Sequence, residues 1–322
     1  MVTIYDVAAR AGVSPATVSR VFAGQVNVSP DLAEAVRRAA AELGFLPNRG
    51  AQRLRTATSR IVAMMVPDIE NPFFTAVTRA VEDVARAAGY SVMLCNTDED
   101  PAREEEYLRV AVQEPVAGVV IAPSARARLG LAVDRGLPVV CVDRHAAGYS
   151  LDAVVADNRA AAAAATSLLL KAGYRRIACV TGPAGVETAD DRLAGWSDAL
   201  AALGQAPSAD LVRRVPFTVE GGTAATCELL ALAGPPDAVF AANNRLAAGT
   251  LAALAAAGRL PPATGVVSFG GSPLMLLAPP GVIVTQLPAR ALGLRAAEML
   301  LERIAGLDGP ARSETLPISV TF

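Results

Sequence analysis

The stretch Ile4-Tyr5-Asp6-Val7-Ala8-Ala9-Arg10-Ala11-Gly12-Val13-Ser14-Pro15-Ala16-Thr17-Val18-Ser19-Arg20-Val21-Phe22 carries the plan of the amino-terminal module. Ile4, Val7, Ala8 and Ala11 recur at helical spacing, and Gly12 stops the pattern. Ser14 offers a hydroxyl to cap the next helix. Pro15 suits its first position because it lacks the N–H that would go unpaired there. This second helix, 15–22, turns Val18, Val21 and Phe22 inward and leaves Ala16, Thr17, Ser19 and Arg20 outside. Ser29-Pro30 repeats the device ahead of a third helix, 31–43, with Leu32, Val36, Ala39, Ala40 and Leu43 on one face and Gly44 at its end. Two short helices joined through a glycine turn, with a third in support, describe a helix-turn-helix. A small helical bundle that merely opens the chain is the alternative. The outer face of the second helix is short, hydroxylic and tipped by Arg20, which suits a groove lined with phosphates and base edges.

Charge agrees with that reading. The net charge is −2, yet residues 1–60 hold eight arginines (Arg10, Arg20, Arg37, Arg38, Arg49, Arg53, Arg55, Arg60) against Asp6, Asp31, Glu34 and Glu42. That module is +4 and the remainder −6, the asymmetry expected when one end meets a phosphate backbone. A solvated surface of ordinary composition gives the same count, so charge alone decides little.

From Arg60 onward, short β-rich apolar runs alternate with helical stretches. The runs at 61–66, 91–95, 118–121, 139–142, 176–181, 238–241, 265–269 and 282–285 read as strands buried on both faces. Helices are expected at 72–88, 102–113, 159–172, 190–203, 220–233, 245–257 and 289–305. This alternation predicts parallel sheets covered by helices on both faces. About 260 residues is long for one such sheet, so two doubly wound subdomains are expected, with a ligand site in the cleft between them.

Other chemistry is thinly represented. The chain has one histidine, His145, and one lysine, Lys171, and lacks G-x-S-x-G, H-E-x-x-H, G-x-x-x-x-G-K-[ST] and G-x-G-x-x-G motifs. No cofactor or metal is therefore expected, and an enzyme with a nucleotide-binding doubly wound fold is disfavoured. Cys95, Cys141, Cys179 and Cys227 are widely spaced and read as reduced core residues. No apolar run approaches the roughly 20 residues of a bilayer helix, and the start carries no export signal, so a cytoplasmic protein is expected.

The residues Thr3–Ala8, Gly12-Val13-Ser14, Thr17–Val21 and Leu43-Gly44-Phe45-Leu46-Pro47-Asn48 together resemble the headpiece of the LacI/GalR (lac/galactose/purine repressor) family. By that resemblance the second helix enters the major groove of double-stranded operator DNA with Pro15, Ala16 and Arg20 at base-reading positions. Tyr5, Ser14, Thr17 and Ser19 fall mainly on phosphates, and Asn27 belongs to the same surface. Pro15 and Ala16 offer few hydrogen-bonding groups, so discrimination rests on apolar contact and on Arg20. Ala23 stands where the family usually has asparagine. The segment 48–55 resembles the family's hinge helix, in which Leu54 matches a minor-groove wedge, Ala51 the small residue before it, and Asn48 its entry. Gly50 costs about 1 kcal/mol of helix relative to alanine, so this hinge is expected to fold only on DNA.

The resemblance continues through the body, which looks like a periplasmic-binding-protein core. It rests on 66–74, Val142-Asp143-Arg144, Ala156-Asp157-Asn158, 173–177, 191–196, Ala242-Asn243-Asn244 and Thr285-Gln286. The implied organisation is a helix-turn-helix headpiece (1–47), a hinge and linker (48–59), one core subdomain from 60–156 and 288–311, and another from 157–287 and 312–322. The implied effector residues are Phe73, Phe74, Asp143, Thr188, Arg192, Asn243 and Gln286. Aromatics would stack on an apolar ligand face while a guanidinium and carboxamides take hydroxyls or a carboxylate. Each also has a plainer role: Phe73 and Phe74 as core, Arg192 as partner of Asp190 or Asp191, Asp143 as a turn cap. Two departures bear on the ligand. Gly270 replaces an aspartate that commonly grips ligand hydroxyls, and Asn244 replaces another frequent aspartate; losing one such hydrogen bond from a buried site costs about 1–3 kcal/mol. This points away from an ordinary hexose and toward a smaller, anionic or less hydroxylated ligand, or none. The resemblance thus implies a homodimeric transcriptional regulator, most often a repressor, that binds a pseudo-palindromic operator and is modulated by a small molecule, a sugar or related metabolite. A solute-binding protein of the same core fold without a DNA role is the alternative.

Overall fold

The computed structural model describes residues 2–22, 28–45, 59–114, 116–271 and 280–321. The chain divides into two units, Met1–Ser59 and Arg60–Phe322. The smaller contains α1 (Ile4–Ala11), α2 (Pro15–Phe22) and α3 (Pro30–Leu43). A reciprocal cap opens α1: the Asp6 N–H donates to Thr3 Oγ1, and Asp6 Oδ2 accepts the Thr3 backbone N–H at 2.7 Å. Ser14 Oγ accepts the Thr17 N–H at 3.1 Å, the cap its position predicts. Ser29 also sits at a helix N-cap but makes no side-chain cap bond, so Pro30 at the first helical position carries that start alone. The core is fully buried Val7, Val18 and Val36, with Ala8, Ala39 and Ala40 where the helices approach. Leu32, expected on that face, is exposed; Ala33 packs there instead.

The larger unit holds two six-stranded sheets. One contains β1 (Ile61–Val66), β2 (Ser91–Asn96), β3 (Gly118–Ile121), β4 (Val139–Asp143), β5 (Asp152–Ala156) and β11 (Ser313–Leu316), in the order β11-β5-β4-β3-β1-β2. Every pairing in it is parallel. The other contains β6 (Ile177–Thr181), β7 (Val212–Arg214), β8 (Ala238–Ala241), β9 (Gly265–Ser268), β10 (Val282–Gln286) and β12 (Ser319–Thr321), ordered β12-β10-β9-β8-β6-β7. There only the β10–β12 pair is antiparallel. The helices are α4 (Pro72–Ala87), α5 (Pro101–Gln113), α6 (Gly130–Asp134), α7 (Asn158–Lys171), α8 (Glu187–Ala201), α9 (Val219–Leu230), α10 (Asn244–Ala256) and α11 (Ala289–Ile304). In each sheet the strand order reverses beside its first strand, β1 or β6. A doubly wound sheet opens a crevice at such a point, at the carboxyl ends of its strands.

Several expectations need correction. Strand β2 is not buried on both faces: it is a sheet edge, and Leu94 is exposed. Strands β7, β11 and β12 are short and polar, because an edge strand needs little apolar sequence, and their runs carry no strand signature. The third crossing between subdomains was expected near 311. Strand β11 instead pairs with β5 in the first sheet, so the chain crosses at Pro317-Ile318, and 312–316 belong to the first lobe. Cys95, Cys141 and Cys179 are buried, and burial pushes their thiols up, that of Cys141 to about 12. Cys227 is exposed, away from the buried Ala225, Thr226 and Leu229 stripe of α9.

A buried ion cluster ties the returning segment to the first lobe. Asp152, at the start of β5 and 3% exposed, accepts hydrogen bonds from Arg303 Nη2 at 2.7 Å, Arg312 Nη2 at 2.6 Å and the Arg312 backbone N–H at 2.9 Å. Burial alone would raise its carboxyl, but the bonds and charges of Arg303 and Arg312 outweigh it and hold it well below the usual range.

Candidate functional site

The carboxyl ends of the strands in both lobes open onto one cavity of about 420 Å³. Its first-lobe wall is the segment after β1 with Phe73 and Phe74 of α4, Asn96 at the end of β2 with Asp98 and Glu99 beyond it, and Asp143 and Arg144 at the end of β4. The second-lobe wall is Pro183 after β6, Thr188 and Arg192 of α8, Phe217, Asn243 to Arg245 at the start of α10, and Phe269 after β9. Leu287, in the crossing after β10, closes one end.

Backbone strain collects here. Among the described residues three non-glycines adopt positive φ: Asp98 at 52°, Glu99 at 56° and Asp143 at 71°. All three line the cavity. Each such residue costs about 1–3 kcal/mol and persists only where the surroundings over-determine it, which marks this wall as a functional surface.

Arg192 is the central charge. It is 5% exposed, donates from Nε to Asn158 Oδ1 at 2.9 Å and from Nη1 to the Ala242 carbonyl at 2.8 Å, and lies 4.4 Å over the Phe269 ring. It pairs with neither Asp190, which takes Arg214 at 2.6 Å, nor Asp191. Burial pushes its guanidinium down to about 10, with Asp143 pulling the other way, so it stays charged at neutral pH. Across from it Arg144, also buried, grips Glu99 at 3.0 and 3.1 Å and Asp143 at 3.3 Å. Burial would lower that guanidinium too, but Glu99 and Asp143 more than reverse the effect.

Side chains of the two lobes also meet directly. Asn244 Nδ2 donates to Asn71 Oδ1 at 3.0 Å, and Arg245 Nη1 bridges Asp68 at 2.7 Å and Glu70 at 3.1 Å. His145 of the first lobe also meets Glu187 Oε1 of the second through Nδ1 at 2.8 Å, while its Nε2 meets Ser313 Oγ of its own lobe at 2.9 Å.

Six of the seven expected effector residues, Phe73, Phe74, Asp143, Thr188, Arg192 and Asn243, thus border one space. Gln286 does not. Alternation along β10 buries Thr285, whose Oγ1 accepts the Gly270 N–H, and leaves Gln286 exposed at the strand end. Phe73 and Phe74 are core and wall together, packed edge to face at 5.0 Å. Sequence reasoning missed Arg144, Arg245 and the acids after β2 as wall residues, and singled out Asn244 only as a departure bearing on the ligand. Arg144 stands in a quoted motif beside Asp143, and Arg245 lies one residue beyond another. Phe217 follows the unrecognised strand β7, and only the fold brings it in; it rests so close to Gly182 that a Cβ there would come within 2.2 Å of its ring. Gly270 has φ 97°, a conformation costly for any side-chain-bearing residue, so the local backbone itself demands the glycine.

In the small unit, Val18 and Val21 of α2 face the core while Ser14, Ala16 and Arg20 are exposed and Pro15, Thr17 and Ser19 half-buried. Tyr5 on α1 is 70% exposed. Ser14 Oγ and Thr17 Oγ1 hydrogen bond to each other at 2.9 Å. Arg10 pairs with Glu42 and Arg37 with Glu34, whereas Arg20 has no ion pair among the described residues. Asn27, Asn48, Ala51 and Leu54 lie outside the described residues.

Residues 3–48 match the model of bacterial regulatory proteins of the lacI family, and residues 59–322 match that of periplasmic binding proteins and the sugar-binding domain of the LacI family. The chain belongs to the LacI family. It is a DNA-binding transcriptional regulator and not an enzyme. The ribose operon repressor of Halalkalibacterium halodurans is 36% identical over 305 residues, 94% of this chain and 91% of its own. A transcriptional regulator CelR–cellobiose complex is 30% identical, with a TM-score of 0.75 over 100% of this chain and 99% of its own. The lac repressor dimer bound to operator and the anti-inducer ONPF is 25% identical, with a TM-score of 0.86 over 100% of this chain and 98% of its own. No helix among the described residues is long and apolar enough to cross a membrane.

Proposed function

We propose that this LacI-family regulator is a cytoplasmic repressor that binds a pseudo-palindromic operator as a homodimer and is released or retained by a sugar-class effector bound between its two core lobes. The observation that carries the effector reading is the buried, carboxylate-unpaired Arg192, set on Phe269 in a cavity walled by both lobes. A ligand touching both walls has different affinity for open and closed lobes, which is what couples it to a second site. The resemblance to a ribose repressor and a cellobiose-bound regulator supports a sugar as the ligand. On the DNA side, Arg20, Ala16 and Pro15 read base edges from α2, and Tyr5, Ser14, Thr17 and Ser19 hold phosphates. Asn27 and Asn48 extend that contact, and Ala51 and Leu54 enter the minor groove at the operator centre.

Retention on duplex DNA should fall steeply as salt rises, because phosphate contacts release counterions. Arg20→Ala is expected to cost about 1–3 kcal/mol on the operator and to relax base preference at one position of each half-site. Unchanged discrimination among operator variants in a gel-shift titration would refute the groove assignment. Leu54→Ala is expected to weaken operator binding while sparing non-specific DNA, since a wedge acts only on a kinked site. Equal losses on both DNAs, measured by anisotropy, would count against the wedge.

A further inference from the structure

The turn after β1 in the first lobe and the first turn of α10 in the second meet through charge. Arg245 Nη1 donates to Asp68 Oδ2 at 2.7 Å and lies 3.1 Å from Glu70 Oε2. Beside it Asn244 Nδ2 donates to Asn71 Oδ1 at 3.0 Å, and that oxygen is the acceptor because it also takes the Phe73 N–H. Neither segment belongs to a crossing between the lobes, so these contacts add to what the chain connections already hold.

Each side is ordered within its own lobe. Asp68 Oδ1 accepts the Glu70 N–H at 2.9 Å, which leaves Oδ2 for the far lobe. The Ile69 N–H donates to Asn96 Oδ1 at 3.1 Å and braces the turn against the end of β2. Asn243 Oδ1 caps α10 by accepting the Leu246 N–H at 2.7 Å. Arg245 stands in the first turn of that helix, where the helix dipole disfavours a cation. Among the described residues both of its carboxylate partners lie in the first lobe. Burial would lower its guanidinium, but the hydrogen bonds and charges of Asp68 and Glu70 outweigh it. The Arg245 and Asp68 side chains are 22% and 26% exposed, so water screens this pair less than His145 and Glu187, at 43% and 38%.

We infer that Arg245 is a positioning residue whose pairing with Asp68 and Glu70 latches the two core lobes together before any effector binds. Opening the cleft would leave a cation at a helix N-terminus with no carboxylate beside it. The latch therefore sets the closed fraction from which an effector starts, and it acts on effector and operator binding through that fraction. The inference goes beyond the effector reading and needs only that the lobes can move apart.

The test measures the distance between the lobes in the full-length protein without added ligand. Cys227, exposed on α9, takes one spin label, and Glu106→Cys, at an exposed position of α5, takes the other; Cys95, Cys141 and Cys179 are buried. Labelled chains are diluted into unlabelled ones so that only pairs within one chain report. Double electron–electron resonance is expected to show chiefly the short, closed distance in the wild type. Arg245→Ala should lower the closed-to-open ratio roughly 2- to 10-fold, and the gentler Asp68→Asn should shift it in the same direction. Arg245→Asp repels Asp68 and Glu70 and should open the lobes furthest. Adding Asp68→Arg to it restores opposite charges and should return most of the closed population. Circular dichroism checks that each variant is folded. A wild type that is chiefly open, or unchanged distances in Arg245→Ala and Arg245→Asp, overturns the latch. Opening that the exchanged pair fails to reverse also overturns it, since Arg245 would then act through α10 alone. Effector and operator binding by the wild type are measured separately, and their failure would overturn the effector reading while leaving the latch standing.

Discussion

Arg192→Ala is expected to leave a folded protein that has lost most of its response to ligand. If the proposed effector takes a hydrogen bond from this guanidinium, its removal corresponds to a roughly 10- to 100-fold weaker ligand. The variant should also melt a few degrees lower, since Asn158 Oδ1 and the Ala242 carbonyl lose their buried donor and each such loss costs about 1–3 kcal/mol. Arg192→Lys should not rescue binding. A single ammonium cannot serve Asn158 and Ala242 together while lying flat on Phe269, whereas the planar guanidinium does all three. Calorimetric titration of the sugar that stabilises the wild type, run on all three proteins, decides the matter. An unchanged affinity in Arg192→Ala would reduce this arginine to a strut of the second lobe.

The second large effect concerns stability. Asp152→Ala is expected to lower unfolding free energy by roughly 2–4 kcal/mol, near the 3–5 kcal/mol typical of a broken buried ion pair. The discount arises because Arg303 and Arg312 are 19% and 30% exposed in their side chains and keep other partners, including the Leu307 and Gly309 carbonyls and Glu302. The loss should also depend on pH in one direction. The folded carboxyl ionises below its ordinary value of 3.8, so the unfolded chain binds more protons around that pH. The stabilisation is present above 3.8 and is lost as pH falls through the lower folded value. Denaturant melts of wild type and Asp152→Asn should therefore differ most near neutrality and converge toward pH 2. A constant difference across that range would mean that the pairing contributes nothing through its charge.

The headpiece was readable because its signals are local. The capping residue Ser14, Pro15 and Pro30 at first helical turns, and apolar spacing in three short helices each act within a few residues. The strongly apolar central strands β1, β3, β4, β6, β8 and β9 announced themselves for the same reason, since burial on both faces needs continuous hydrophobic sequence. Leu32 shows the margin of error: periodicity fixes a helical face only to within one residue, and Ala33 took the place.

What the sequence determined by itself is the set of elements whose residues answer to near neighbours, together with the chemistry of residues at the ends of strands, among them Asp143, Arg192 and Asn243. What only the tertiary structure decided is which of those ends face each other. Strand β11 joined the first sheet because Asp152, Arg303 and Arg312 meet there from positions 151 and 160 residues apart. The contact that orients Asn244 exists only because the fold brings Asn71 to it from 173 residues away along the chain. Contacts of that separation are fixed by burial and charge pairing across the folded body, and no local pattern in the chain encodes them.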